Sequence, residues 1–165
     1  MKSIKVLAAM FVAASMFVVA GCSKDNEKIN KDDLVGSWNM TKAHVTETVS
    51  GLTGEYAAYN GTRERDMNPG EGESTVFIFG SDGTYTIKNV SPNNTLERTG
   101  TWSLSGKTLT VSLPEDGEMY SETMEVEKVT SSNLILSKHI TETRELAPGQ
   151  VASSVDDATF YFDKM

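Results

Sequence analysis

Two histidines, His44 and His139, are the side chains best suited to move protons near neutral pH, and both lie in segments of alternating polarity. Neither has a second His or a Cys at the short spacing of metal ligands, so a metal centre would have to assemble from distant parts of the chain. A Ser-His-Asp arrangement needs a serine in a special turn, and no G-x-S-x-G occurs. SSNLILSKH reads instead as a turn followed by a strand. Carboxylates cluster as Glu115, Asp116 and Glu118 in one turn and as Glu71 and Glu73 in another. Paired acids about 5–9 Å apart can hydrolyse glycosides, yet in turns of an acidic chain solvated charge is the default. PEDGE lacks the ligand periodicity of an EF-hand, and the glycine-rich stretches do not follow a strand and open a helix, so no phosphate cradle is indicated. The residues support no catalytic constellation, no metal site and no cofactor, and the expectation is a protein that is not an enzyme. One reactive group remains, the thiol of Cys22, the single cysteine.

Its position is informative. Residues 1–21 read MKSIKVLAAMFVAASMFVVAG: Lys2 and Lys5 make a positive start, and Val6 to Ala20 supply about fifteen apolar or small residues, the layout of a secretory leader. The run is short for a membrane span, which needs roughly 20 apolar residues. It ends in Val19-Ala20-Gly21-Cys22, which resembles the lipobox of bacterial lipoproteins. That resemblance implies cleavage between Gly21 and Cys22, with diacylglycerol on the Cys22 thiol and an acylated new N-terminus. Several acyl chains at about 0.8 kcal/mol per buried methylene hold a protein on a membrane through any working period. The rival is an ordinary leader with an incidental cysteine. Ser23-Lys24-Asp25-Asn26-Glu27 is similar to the tag behind the lipid cysteine of surface-exposed lipoproteins of the Bacteroidetes, although Asn26 interrupts its acids; a plain solvated tether is the alternative. The expected division is a leader over 1–21, a lipid-anchored tether over 22–32 and one domain over 33–165. A flexible tether of that length keeps the domain some 15–20 Å from the bilayer.

Without Lys2 and Lys5 the 15 basic residues fall to 13 against 23 acidic ones, a net charge of −10. Such a surface argues against nucleic acid and against a polybasic grip on anionic lipid. Attachment would rest on the acyl groups. With Cys22 consumed no disulfide is available. Removing 21 residues from 165 leaves 144, enough for one domain with a sizeable core.

Beyond Lys31 the period is two. DLVGSWNMTKAHVTETV makes a long first strand with Gly36, Trp38 and Met40 on one face. TVFIFG and TYTIKNV flank Ser81-Asp82-Gly83, and Asp-Gly between two such runs is a strong hairpin signal. LERTGTWSLS, KTLTVSL, MYSETMEVEKV, LILSKHITETRE and a closing strand in DATFYFDKM follow, each after a short turn. Eight antiparallel strands in meander order mean a sandwich or an up-and-down barrel, and the expectation is an all-β up-and-down barrel, because pairing the last strand with the first leaves no bare edge. The segment 50–73 breaks the rhythm. Its length suits a lid carrying Tyr56, Tyr59, Arg63 and Arg65 over a barrel mouth, an extra hairpin, or surface disorder.

LVGSWNM resembles the Gly-x-Trp opening of lipocalins, and FIFGSDGTYTI, GTWSLSGKTLTV and NLILSK in that order resemble the lipocalin-like domain of small Bacteroidetes lipoproteins, over roughly residues 33–165. There are departures: no Thr-Asp-x-x-Tyr, no cysteine pair, and only Lys164 where a last-strand arginine would cover the opening tryptophan, a residue without the planar guanidinium that stacks. The resemblance implies an eight-stranded barrel whose interior admits one small apolar ligand. Alternation points Phe77, Phe79, Tyr85, Ile87, Trp102, Leu104, Leu134, Leu136, Phe160 and Phe162 inward, with Phe77, Phe79, Tyr85 and Trp102 as candidate ligand contacts and Trp38 as a plug. Side chains that simply fill the barrel are the alternative.

Two functions therefore stay open, with an enzyme third. One is an outer-membrane lipoprotein, periplasmic or surface-exposed, whose barrel binds a small apolar molecule. The other is an envelope interaction module with a filled core. Both require the anchor. Cys22→Ser is expected to abolish incorporation of labelled palmitate and to leave the precursor uncut; a mutant that still carries lipid refutes the assignment.

Overall fold

The computed structural model describes residues 29–115, 117–147 and 150–165, so the leader, Cys22 and Asp116 lie outside the described residues. Asn30 caps a single helical turn, α1 (Lys31–Leu34), accepting a hydrogen bond from the Asp32 amide at 3.4 Å. Among the described residues nine strands follow. They are β1 (Gly36–Ser50), β2 (Gly61–Met67), β3 (Ser74–Phe79), β4 (Thr84–Ser91), β5 (Asn94–Ser105), β6 (Thr108–Glu115), β7 (Glu118–Val129), β8 (Asn133–Ala147) and β9 (Gln150–Lys164). From β3 to β9 each strand pairs antiparallel with the next. β1 pairs with β3 on one side and with β9 on the other, closing eight strands into a barrel.

The turns follow their sequences. At the expected Asp-Gly hairpin the Asp82 carboxylate accepts from the Thr84 amide at 2.9 Å and the Thr84 hydroxyl at 2.7 Å, which holds its pKa below the usual carboxylate range. Gly83 takes the left-handed backbone (φ +88) that this turn requires. At Gly100 the constraint is space, since a Cβ there would lie 1.8 Å from the Ser112 carbonyl oxygen where β5 runs against β6.

Segment 50–73 is neither a lid nor a structureless loop. It holds a 3-10 turn (Gly54–Tyr59) and then β2, which pairs with the far half of β1 from Ala43↔Met67 to Val49↔Gly61. The Asn60 side chain fastens the segment, accepting from the Leu52 amide at 3.0 Å and donating to its carbonyl at 2.8 Å. GTRERDM alternates only between polar residues, so no period-two apolar signal marks the strand. For the same reason the last strand begins at Gln150 and not near Ala158: of small and polar VASSVDD, Ser153 to Asp157 lie between β1 and β8, and Val151 and Ala152 pair with β8.

A bulge at Thr41 shifts the β1–β9 register, so Met40 faces Phe162 while Lys42 faces Tyr161. The inward set changes phase there, from Trp38 and Met40 to Ala43 and Val45, the latter two 2% exposed. All ten residues expected inside belong to the core cluster or pack on it, together with Leu34, Trp38, Leu109, Val111, Leu113, Met124 and Val126.

The end of the barrel at α1 is sealed. Trp38 is fully buried and its indole N–H donates to the Leu34 carbonyl at 2.7 Å. Lys164 does what the missing arginine would do by a different contact: its ammonium lies 4.8 Å from the Trp38 ring centroid and donates to the Val35 carbonyl at 3.1 Å. Gly36 permits this, because a Cβ there would meet Lys164 Cε at 2.9 Å and its φ is +134. Trp38→Ala is expected to cost about 3–5 kcal/mol, as large-to-small core changes do. Gly36→Ala should cost stability as well, by displacing Lys164. A urea titration showing a loss below about 1 kcal/mol for Trp38→Ala would mean that the plug is not structural.

Candidate functional site

The interior is apolar toward the plug and becomes polar toward the other end. Near the plug, Phe77, Phe79, Tyr85 and Trp102 make one aromatic cluster: Phe79 stacks on Tyr85 at 5.3 Å, Phe77 meets Tyr85 edge-on at 5.5 Å, and Trp102 meets Phe79 at 5.2 Å. Trp102 also donates to the Gly80 carbonyl at 2.9 Å and lies under the Lys31 ammonium. Phe79, Tyr85 and Trp102 are buried; Phe77 is half-buried.

Farther along the same strands the inward phase carries charge. Arg98 shares its phase with Trp102 and pairs across the ladder with Ile87; Glu122 shares that of Met124 and Val126 and faces Val111; Tyr120 faces Leu113. Glu115 continues the phase of Leu109, Val111 and Leu113, while Lys138 and Glu142 continue that of Leu134 and Leu136. Lys138 Nζ meets Glu122 Oε1 at 2.8 Å with side chains only 18% and 13% exposed, and Arg98 approaches Glu115 at 3.4 Å.

The Lys138–Glu122 pair also bridges a seam. The β7–β8 ladder covers Glu125↔Ser137 to Val129↔Leu134, and the ion pair joins the two strands just past its end.

Two tyrosines report on this region. Burial pushes the Tyr85 phenol far above its ordinary pKa, the Glu122 carboxylate adds to the rise and Arg98 opposes it. Tyr120 is raised first by partial burial, then by the carboxylates of Glu122, Glu115 and Glu142.

The two histidines sit on the outside. His44 Nδ1 lies 2.7 Å from Asp66, which Lys42 also holds at 2.9 Å; these two hydrogen bonds keep the Asp66 carboxyl below its usual range. His139 Nδ1 lies 2.6 Å from Asp157, and its Nε2 is 3.3 Å from the Thr141 hydroxyl. The order Thr-His-Asp is that of a hydrolase triad. Yet His139 and Asp157 are each 63% exposed on the face of a sheet whose amides are committed to ladders. A triad needs a pocket and free donors for an oxyanion, so these are surface pairs. Among the described residues no group of three or more His, Cys, Asp or Glu is placed to hold a metal ion, and no helix is long and apolar enough to cross a membrane. A depression of about 300 Å³ lies beside the bulge, lined by Thr41, Lys128, Asn133, Ile135, Tyr161 and Asp163 among others, and is open to solvent.

An antiparallel meander of eight strands, closed on itself and plugged at one end by a buried tryptophan, defines the class: a lipocalin-type barrel. The family model for the lipocalin-like domain matches residues 34–136. The chain belongs to that family, and no curated protein matches it in sequence.

The charged inward residues were not singled out by sequence reasoning, although a signal existed. Arg98, Glu122 and Lys138 interrupt apolar alternation in phase with the core, where unpaired charge is rare. Replacing Lys138 by Met leaves Glu122 without its 2.8 Å partner and is expected to cost about 1–3 kcal/mol. The double replacement with Glu122→Leu should recover most of that. Urea midpoints for the three variants measure both effects, and a single-variant loss near zero would reduce the pair to surface charge.

Proposed function

We propose that this protein is an envelope lipoprotein, held at Cys22, whose lipocalin-like barrel takes a small ligand through its unplugged end. The observation that carries the reading is the one-sided closure: Trp38, Leu34 and Lys164 stop one end, while at the other the apolar packing gives way to Arg98, Tyr120, Glu122 and Lys138. Phe77 and the edge of Tyr85 would meet the ligand; Phe79 and Trp102 would support them from below. Within the expected tether 22–32, Ile29 already packs on the core and Lys31 lies over Trp102. Chain running from a lipid on Cys22 would therefore enter at the plug and hold the mouth away from the bilayer, in the outer membrane of a Gram-negative cell.

A specific observation favours a second reading. Fourteen buried residues pack as one cluster, which suits an interaction module with a filled core. Native mass spectrometry of the mature chain purified from its envelope separates the two. A reproducible mass addition that vanishes in Phe77→Ala supports the ligand carrier and weighs the ligand. A bare chain under the same conditions favours the interaction module.

A further inference from the structure

β2 buries almost nothing, yet the chain fastens it at several points. Gly61 to Asp66 are all exposed, and the strand pairs with β1 alone. Asn60 clasps its start to the Leu52 backbone at 3.0 and 2.8 Å. The Thr62 hydroxyl meets that of Thr48 at 3.0 Å, and Asp66 is gripped by Lys42 and His44 at 2.9 and 2.7 Å. The opposite edge of the strand keeps its amides and carbonyls without a backbone partner among the described residues. At two other places where a ladder stops, side chains cross the gap: Arg98–Glu115 beyond Thr101↔Ser112, and Lys138–Glu122 beyond Glu125↔Ser137. No ion pair among the described residues crosses from the outer edge of β2. A strand held in place with one edge bare is a template for another strand.

Its charges select which strand. Residues directly opposite on paired strands share a face, so Arg63 and Arg65 lie on the face of Glu47 and Val45, and Glu64 lies on the other with Thr46. Glu64 and Arg65 make no ion pair among the described residues. A second copy of β2 is a poor occupant. In a two-fold antiparallel pairing centred on Arg63 or Arg65 an arginine meets itself, and centred on Glu64 that carboxylate meets itself while Arg63 meets Arg65; like charges directly opposite destabilise a sheet. We propose that the outer edge of β2 takes an extended peptide segment of a partner protein as an added strand, one whose acid–base–acid alternation stands opposite Arg65, Glu64 and Arg63. Backbone hydrogen bonds supply the grip and the three charges set the register. The inference stands whether or not the barrel holds a ligand.

The test uses the mature chain in detergent, with detergent alone as the control. The probe is the fluorescein-labelled, amidated peptide TTEKETT, a palindrome that offers the same charges in either strand direction. Fluorescence anisotropy measures its binding, and hydrogen exchange shows where it binds. Exchange is expected to slow over 61–67, the span of β2. The same peptide N-methylated at its three central amides loses the backbone donors and should bind about tenfold more weakly. Arg65→Glu, at an exposed position, should weaken the unmethylated peptide several-fold. No binding, equal binding of the two peptides, indifference to Arg65→Glu, or unchanged exchange over 61–67 overturns the proposal. So does a concentration-dependent dimer in sedimentation that Arg65→Glu dissociates, because the edge then serves a second copy of the chain.

Discussion

Everything in this barrel is referred to Trp38. A closed meander has no edges but two ends, and the fold must decide which end is sealed. The indole does so by being fully buried and by turning its N–H back onto Leu34, which sets α1 across the opening. Lys164 then crosses from the last strand onto the ring and onto the Val35 carbonyl. Because Trp38 pairs with Lys164 in the β1–β9 ladder, the same contact that caps the barrel fixes the register in which it closes. A one-residue slip would turn every inward side chain of β9 outward. The bulge at Thr41 keeps this closure compatible with the longer far half of β1, β8 and β9, where the inward phase is carried by Ala43 and Val45.

From that seal the interior changes character along most strands, whereas on β1 the inward phase shifts at Thr41 and stays apolar through Ala43 and Val45. Elsewhere the first inward positions are mostly aromatic or aliphatic and packed in or on the core, and charged or hydroxylated residues follow. Desolvated charge is costly unless paired, and the structure meets the cost with Lys138–Glu122, while the more exposed Arg98 approaches Glu115 at 3.4 Å. The first of these pairs stands where the β7–β8 backbone ladder ends, so a side-chain contact continues a seam that main-chain hydrogen bonds have left. Tyr85 sits at the boundary: its ring belongs to the packed aromatic layer, and burial first and then the Glu122 carboxylate raise the pKa of its phenol.

The fold was legible because most of its strands are half-buried and alternate cleanly. Every inward residue expected from period two, from Phe77 to Phe162, packs in or on the core, and MYSETMEVEKV is a strand despite its helix-forming Met and Glu, because Met124 and Val126 both face the cluster. What escaped had no apolar partner to announce it. GTRERDM became β2 through backbone pairing with β1, and VASSVDD became half of β9 because β8 holds its ladder throughout and β1 from Ser153 onward. Lys164 was discounted for lacking a guanidinium, yet geometry supplies what chemistry does not: Gly36 clears the path for its stem. The polar mouth was hidden by a habit of reading charge as surface. Arg98, Glu122 and Lys138 lie in the phase of the core, and only their pairing across strands reveals them as interior.

The outer face offers a useful contrast. Thr141, His139 and Asp157 stand in the order and nearly the distances of a hydrolase triad, while the mouth holds no histidine among the described residues. What separates a site from a coincidence here is solvent. On the open sheet a His–Asp contact is screened, its partners exchange with water, and nothing holds a substrate against it. At the polar end of the interior the same elementary forces act beside apolar walls, so the carboxylate of Glu122 raises the pKa of both Tyr85 and Tyr120. The character of the interior is therefore set less by which residues it contains than by how far along each strand the packing stops and the charge begins.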